Sequence, residues 1–429
     1  MKQRTQALLF LLIAWCCGAQ AGVRQPFEEL AEDWGGIRSV LGEKGVDFRI
    51  GYVSETATNV QGGAQELWRY ADQWTFAAAL DLQKLLGIDQ AQFKITITDR
   101  NGRNLSADAN LGSLQEVQEI YGRGQTWHWT QFSYDQKYWN GMLDWKIGRL
   151  VSGEDFADFS CDFINLALCG PPPGNMVVNY WYNWPVSQWA TRLKAAFKGF
   201  GYVELGVFEF NRNYLRTRNG LNLGDPGGAS GVLVPFEVGW RPTVGERLNG
   251  SYKFGAWYNS SKGPDVVENA ARQSLVIDGG QPYMRDGEYG EYVNFSQQLT
   301  APLSDSKRGL SAFFNATFGD RRTSTLDSQI SAGLLYTGLF DSRSADVLGV
   351  AFGRTHVNNR IAAAASLFNE ANAGTLPIRG SEFVGEVFYG VKIARWLELR
   401  PDIQYIAQPG GVAHTRDDVI VGMRVSVNL

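Results

Sequence analysis

The sequence predicts an all-β chain closed into an antiparallel transmembrane β-barrel of about sixteen strands, with a short N-terminal helix and long loops folded inward. Three observations carry this. Oily and polar residues alternate with a period of two in segment after segment. The connections between those segments are long and short in turn. Beyond residue 21 there is no run of about 18 apolar residues to make a spanning helix. The composition agrees: 49 Gly, 14 Trp, 17 Tyr and 24 Phe stand beside only 4 Cys, 5 Met and 3 His, which suits short strands and many turns. A formal net charge of −4 offers no general attraction to nucleic acid.

Residues 1–21 read as a secretory signal. Lys2 and Arg4 form a positive start, Ala7 to Cys17 an apolar core too short to span a bilayer, and Ala19-Gln20-Ala21 a cleavage site, so the mature chain should begin near Gly22. Lipidation at Cys16 is disfavoured by the bulky Trp15 before it. Residues 22–45 follow as a short periplasmic segment. Phe27, Leu30, Ile37, Val40 and Leu41 lie on a loose helical spacing that ends at Gly42 or Gly45.

The barrel domain is expected over 46–429. Near its start Val46, Phe48, Ile50 and Tyr52 oppose Asp47, Arg49 and Gly51. Farther on, Phe93, Ile95 and Ile97 oppose Lys94, Thr96 and Thr98, and Leu310, Ala312, Phe314, Ala316 and Phe318 oppose Ser311, Asn315 and Thr317. At the C-terminus Val419, Val421, Met423, Val425, Val427 and Leu429 alternate with Asp418, Gly422, Arg424, Ser426 and Asn428. The pattern places strands near 46–58, 68–84, 91–99, 126–134, 142–150, 189–198, 201–210, 232–240, 248–259, 288–299, 310–318, 328–340, 346–354, 381–394, 396–407 and 418–429.

A soluble sandwich would alternate in the same way, and loop lengths decide against it. Long connections fall around 100–125, 151–188, 211–231, 260–287 and 355–380, whereas the intervening ones are turns such as Gly199-Phe200, Asp341 to Ala345 and Arg395. Sorting long loops to one end is what an outer-membrane barrel of a Gram-negative bacterium requires. Trp127, Trp129, Trp240, Tyr252, Tyr258, Phe383 and Tyr389 flank the strands as an interfacial girdle facing lipid.

No GxSxG, HExxH or phosphate-loop motif is present, and His128, His356 and His414 have no nucleophile at motif spacing. The sequence therefore predicts no enzyme, no cofactor and no metal. What it offers is a polar, mixed-charge lumen. Strand parity turns Arg49, Glu55, Arg100, Arg192, Lys194, Glu204 and Glu237 inward, where most need only solvate a water column. The run Asp99 to Ser106 sets Arg100 and Arg103 at the mouth of a strand. The 151–188 loop carries Glu154, Asp155, Trp181, Tyr182 and Trp184, and Cys161 and Cys169 are expected to form a disulfide within it. Guanidiniums beside carboxylates hydrogen-bond several hydroxyls at once, and aromatic faces stack on the C–H faces of sugar rings, a combination that favours neutral polyols. Trp181 and Trp184 could equally be loop core.

Several motifs resemble the carbohydrate-selective porin (OprB-type) family. They are Asp33-Trp34-Gly35-Gly36-Ile37-Arg38 with Leu41 and Gly45, the Asp99 to Ser106 run, Gly148-Arg149-Leu150, Cys161 to Gly170, and Arg400-Pro401-Asp402-Ile403-Gln404-Tyr405 with Pro409-Gly410-Gly411. They span nearly the whole mature chain, in order. The resemblance implies a sixteen-stranded porin passing glucose-like sugars passively through a constriction of arginine and acidic residues. It points first to Arg100 and Arg103, then to Arg49, Arg149 and Glu55. Arg149 shares its parity with oily Trp145 and Ile147, so it reaches the lumen only if the strand ends or bulges before it. The final Leu429 departs from the aromatic residue with which such barrels end, which bears on insertion rather than fold. Neutral sugars and outer-membrane lipid are the expected partners, in a monomer or a homotrimer. The alternatives are a porin for small acids, amino acids or aromatic compounds, and a structural or exporting barrel linked to polysaccharide.

Overall fold

The computed structural model describes residues 33–429 apart from positions 246, 304, 373 and 375. The signal segment and residues 22–32 lie outside the described residues. The chain is one antiparallel meander: β1 (Val46–Gln61), β2 (Trp68–Asp81), β3 (Ala91–Gly102), β4 (Trp127–Tyr138), β5 (Leu143–Leu150), β6 (Gln188–Phe197), β7 (Gly201–Phe210), β8 (Gly231–Trp240), a two-residue β9 (Thr243–Val244), β10 (Leu248–Asn269), β11 (Pro282–Gln298), β12 (Gly309–Gly319), β13 (Leu326–Thr337), β14 (Val347–Val357), β15 (Ser381–Ala394), β16 (Leu397–Ala407) and β17 (Asp418–Asn428). Leaving aside β9, sixteen strands make the wall. Each pairs with its neighbours, and β1 pairs with β17 as well as β2, from Gly51 opposite Asn428 to Gln61 opposite Val419. The ring is closed, so no strand edge faces lipid.

The outward faces expose apolar groups that would be costly in water: Phe254, Phe352 and Ile403 are each more than half exposed. Rings pack at a tilt across these faces, as Tyr52 does against Trp74 at 4.6 Å and Trp240 against Tyr252 at 5.3 Å. No helix among the described residues is long and apolar enough to cross a membrane, and the strands do the crossing.

All sixteen expected strands form; several run a few residues past their expected ends, and two are much longer than the alternation suggests. Most of the expected 260–287 connection is strand, because β10 runs on to Asn269 and β11 begins at Pro282. Ser260, Lys262 and Asp286 there belong to a hairpin rising above the oily band. Both of its faces meet polar surroundings, so the oily period that marks a wall strand vanishes. At the other end, the expected strand to residue 84 stops at Asp81, whose carboxylate accepts from the amides of Gln83 and Lys84 and starts a short helix, Leu82–Leu86. Of the expected N-terminal helical stretch, Phe27 and Leu30 lie outside the described residues; the described part is a 3-10 turn, Trp34–Gly36, followed by a helix, Ile37–Glu43. Gly45 after it holds φ +89°, a left-handed conformation that frees the chain to turn into β1.

The lumen is filled by two loops. Inward carboxylates of the wall hold their backbones: Glu386 accepts from the amides of Ile164 (2.7 Å) and Asn165 (2.9 Å), Glu382 from Leu114 (2.7 Å), and Glu237 from Ala157 (2.8 Å). Between loops and wall lie two apolar clusters. One gathers Trp181, Tyr180, Phe208, Trp257 and Tyr292. The other gathers Leu105, Phe163, Phe313, Phe388 and Ile420. A cavity remains open along the β1–β3 and β15–β17 sector.

Candidate functional site

Cross-strand register builds the site before any loop is added. Arg400 on β16 sits opposite Arg424 on β17, Arg424 opposite Glu55 on β1, Val53 opposite Gln73 on β2, and Gln73 opposite Arg100 on β3. Paired residues of neighbouring strands point to the same side, so these groups form one lateral row on the inner wall. Two loops face the row: residues 103–126 bring Glu119 and Arg123, and residues 151–187 bring Asn175 and Trp184. Between them is a cavity of about 710 Å³.

Its polar contacts are specific. Arg424 donates through Nε and Nη2 to Glu55 Oε1 at 2.9 and 2.6 Å, through Nη2 to Glu119 Oε1 at 2.6 Å, and through Nη1 to the Cys161 carbonyl at 2.8 Å. Glu398 accepts from Lys392 Nζ at 2.6 Å and from Arg400 Nε at 2.9 Å. Gln73 Oε1 accepts from both Arg100 Nε (2.8 Å) and Trp184 Nε1 (3.1 Å), which fixes a guanidinium and an indole side by side. Arg100 Nη1 reaches the Gly122 carbonyl at 2.7 Å. Arg123 donates to the carbonyls of Val178, Gly174 and Trp181 at 2.9, 2.8 and 3.1 Å, so that one loop braces the other.

The residues singled out from the sequence fall in several places. Arg100 and Trp184 line the cavity, and Glu55 lies directly behind it, buried against Arg424. Arg103 is exposed, paired with Asp108 at 2.8 Å, and Arg49 is exposed beside Ile50, the backbone partner of the C-terminal Leu429, and paired with Asp47 at 2.7 Å. Arg149 is buried at the loop end of β5. It donates to the carbonyls of Asn222 and Ser187, both at 2.8 Å, with its guanidinium against the ring of Tyr214, and Gly148 before it holds φ +137° while the strand pairing runs on without a bulge. Glu154 accepts from Gln131 at 2.6 Å, and burial pushes its carboxyl up to about 7. Asp155 pairs with Lys146 at 2.6 Å and Arg192 at 3.1 Å. Burial would raise it, but those two cations hold it below its ordinary value. Both carboxylates tie the start of the loop to the β4–β6 wall, away from the cavity. Trp181 is fully buried against Trp257 and Tyr292. The Cys161–Cys169 disulfide is formed, and both cysteines line the cavity.

Glu119, Arg123, Lys392, Glu398 and Arg424 were not singled out. Arg424 stood in the polar register of the last strand and could have been found by parity. Glu119 and Arg123 sit in a loop with no period to read.

Residues 65–429 match the family described as carbohydrate-selective porin, OprB family. The chain belongs to that family. It is also 40% identical to Porin B of Pseudomonas aeruginosa over 440 aligned positions, covering 98% of this chain and 97% of that protein. The high-pH structure of Pseudomonas putida OprB superposes with a TM-score of 0.89 at 40% identity, covering 92% of this chain and 97% of that one. The low-pH structure of the same protein gives 0.61 at 32% identity, covering 93% and 98%. This porin is thus a carbohydrate-selective channel of the outer membrane, not an enzyme.

Proposed function

We propose that monosaccharides of the glucose type cross this porin through the cavity beside Arg100, Trp184, Glu119 and Arg424, and that this is the constriction. The observation that carries the reading is the shared Gln73 oxygen, which locks the Arg100 fork and the Trp184 ring in fixed relation. A sugar ring can lie on the indole while its hydroxyls exchange bonds with water, guanidinium and carboxylate in turn, losing little on the way. Because the groups are held by the protein, they need no rearrangement to receive the solute. Of the residues expected from the sequence, the proposal keeps Arg100, Trp184 and, as support, Glu55. Arg103 would act at the outer rim and Arg49 at the terminal mouth, where each meets a passing solute only transiently.

The test is permeation. Proteoliposomes of the purified porin should swell in isosmotic glucose, and glucose should reduce single-channel conductance reversibly. W184A should weaken that reduction several-fold while leaving the open conductance no smaller. Absence of both swelling and conductance reduction in the unaltered porin would remove the proposal. A single chain encloses the whole cavity, so transport requires no second copy. We propose that the functional unit is one barrel, and the particle mass in detergent distinguishes one chain from three. Residues 1–21 are proposed to direct export, in which case N-terminal sequencing of the mature protein should start near Gly22.

A further inference from the structure

Two cations of the cavity differ from the rest. Arg424 is divided between Glu55 and Glu119, and Lys392 and Arg400 share Glu398. Arg100 and Arg123 bind neutral oxygens alone: the Gln73 amide and Gly122 carbonyl for one, and three loop carbonyls for the other. Among the described residues no carboxylate lies within ion-pair distance of either; Glu119 and Glu55, both already in contact with Arg424, act on Arg100 only from farther off. Glu116 lines the same cavity but binds Asn104 at 2.9 Å instead. The two guanidiniums are close enough to repel, and burial, with that repulsion, pulls Arg123 down to about 10, still charged at neutral pH.

A neutral hydroxyl accepts a hydrogen bond from such a pair but cancels none of its charge. A carboxylate does both, and planar guanidinium forks match its two oxygens. We propose that the cavity is a binding site for carboxylated polyols, the monoanions formed when one carbon of a sugar chain carries a carboxylate, held between Arg100 and Arg123. Their hydroxyls lie toward Glu119, Asn175 and Trp184, as a neutral sugar's would. The cavity's 710 Å³ is within the range of small-molecule sites and exceeds the need of a six-carbon hydroxy acid. The inference rests on the sugar-path reading above and extends the solutes it admits to acids.

Planar bilayers holding the full porin, probed with glucose and with sodium gluconate, test it. In dilute salt gluconate should half-block conductance at a concentration about tenfold below that of glucose, as expected for charge-assisted over neutral hydrogen bonds. The advantage should shrink in concentrated KCl and in R100Q and R123Q. If glucose blocks and gluconate blocks no better, the acid site is wrong and the sugar path stands. If neither blocks and neither crosses liposomes, the sugar path fails first and takes this inference with it. Should a variant fail to insert, the salt series on the unaltered porin decides alone.

Discussion

At Arg424 one guanidinium joins the last wall strand to both inward loops, through Glu119 of one and the Cys161 carbonyl of the other, while Glu55 behind it is fully buried. Removing it strands the fully buried Glu55 carboxylate, and breaking a buried pair from one side costs about 3–5 kcal/mol. R424A should therefore lower the unfolding temperature of the detergent-solubilised barrel and loosen the loops, raising open-channel noise; an unchanged melting curve would contradict the role given to it. Glu154 yields a pH dependence of unusual sign. Its carboxyl titrates near 7 in the folded chain against an ordinary 4.5, so across that window the folded state keeps a proton the unfolded chain has released. Stability must then fall as pH rises from 4.5 to about 7. Thermal melts of E154Q beside the unaltered porin should show the variant losing less over that window, and parallel slopes would refute the assignment.

The wall elements were legible because lipid on one side and polar lumen on the other impose a period of two, visible from Phe48 to Val427. Where one of those surroundings disappears the signal goes too. The β10–β11 hairpin above the band reads as loop, and the helix Asn359–Asn372 beside it lies in a long connection that carries no period of two. The two are joined by Asp265, which is buried and accepts from Arg285 Nε at 2.7 Å, from Arg360 Nη2 at 3.1 Å and from the amides of Val267 and Glu268. D265A should expose the helix to protease and speed its amide exchange while heat stability of the wall is retained; unchanged protection of 359–372 would count against this latch. Within the 151–187 loop the disulfide closes a short ring. C161S/C169S should cost about 2–3 kcal/mol of loop order, read as faster amide exchange over 158–171, with the barrel still inserted.

For the molecule as a whole, the division between readable and unreadable follows from where function resides. The wall obeys a repeating physical rule, and so do Arg100, Glu55 and Arg424, which stand on it. Arg123 and Glu119 reach the cavity only because loops are held inside by Glu55, Glu237, Glu382 and Glu386, each of which accepts from a loop backbone amide, a contact that leaves no trace in sequence. Trp181 and Trp184, three residues apart in one aromatic loop, ended on opposite sides of that boundary: one in an apolar cluster and one on the cavity. The seam between the first and last strands carries one consequence more. Ile50 and Leu429 exchange backbone hydrogen bonds of 3.0 and 2.8 Å, so the beginning and the end of the wall are neighbours. Order along the chain is then only one way of cutting a ring. A circular permutant that joins Leu429 to residue 46 through a flexible linker and opens in the 221–229 loop should enclose the same cavity and bind the same solutes.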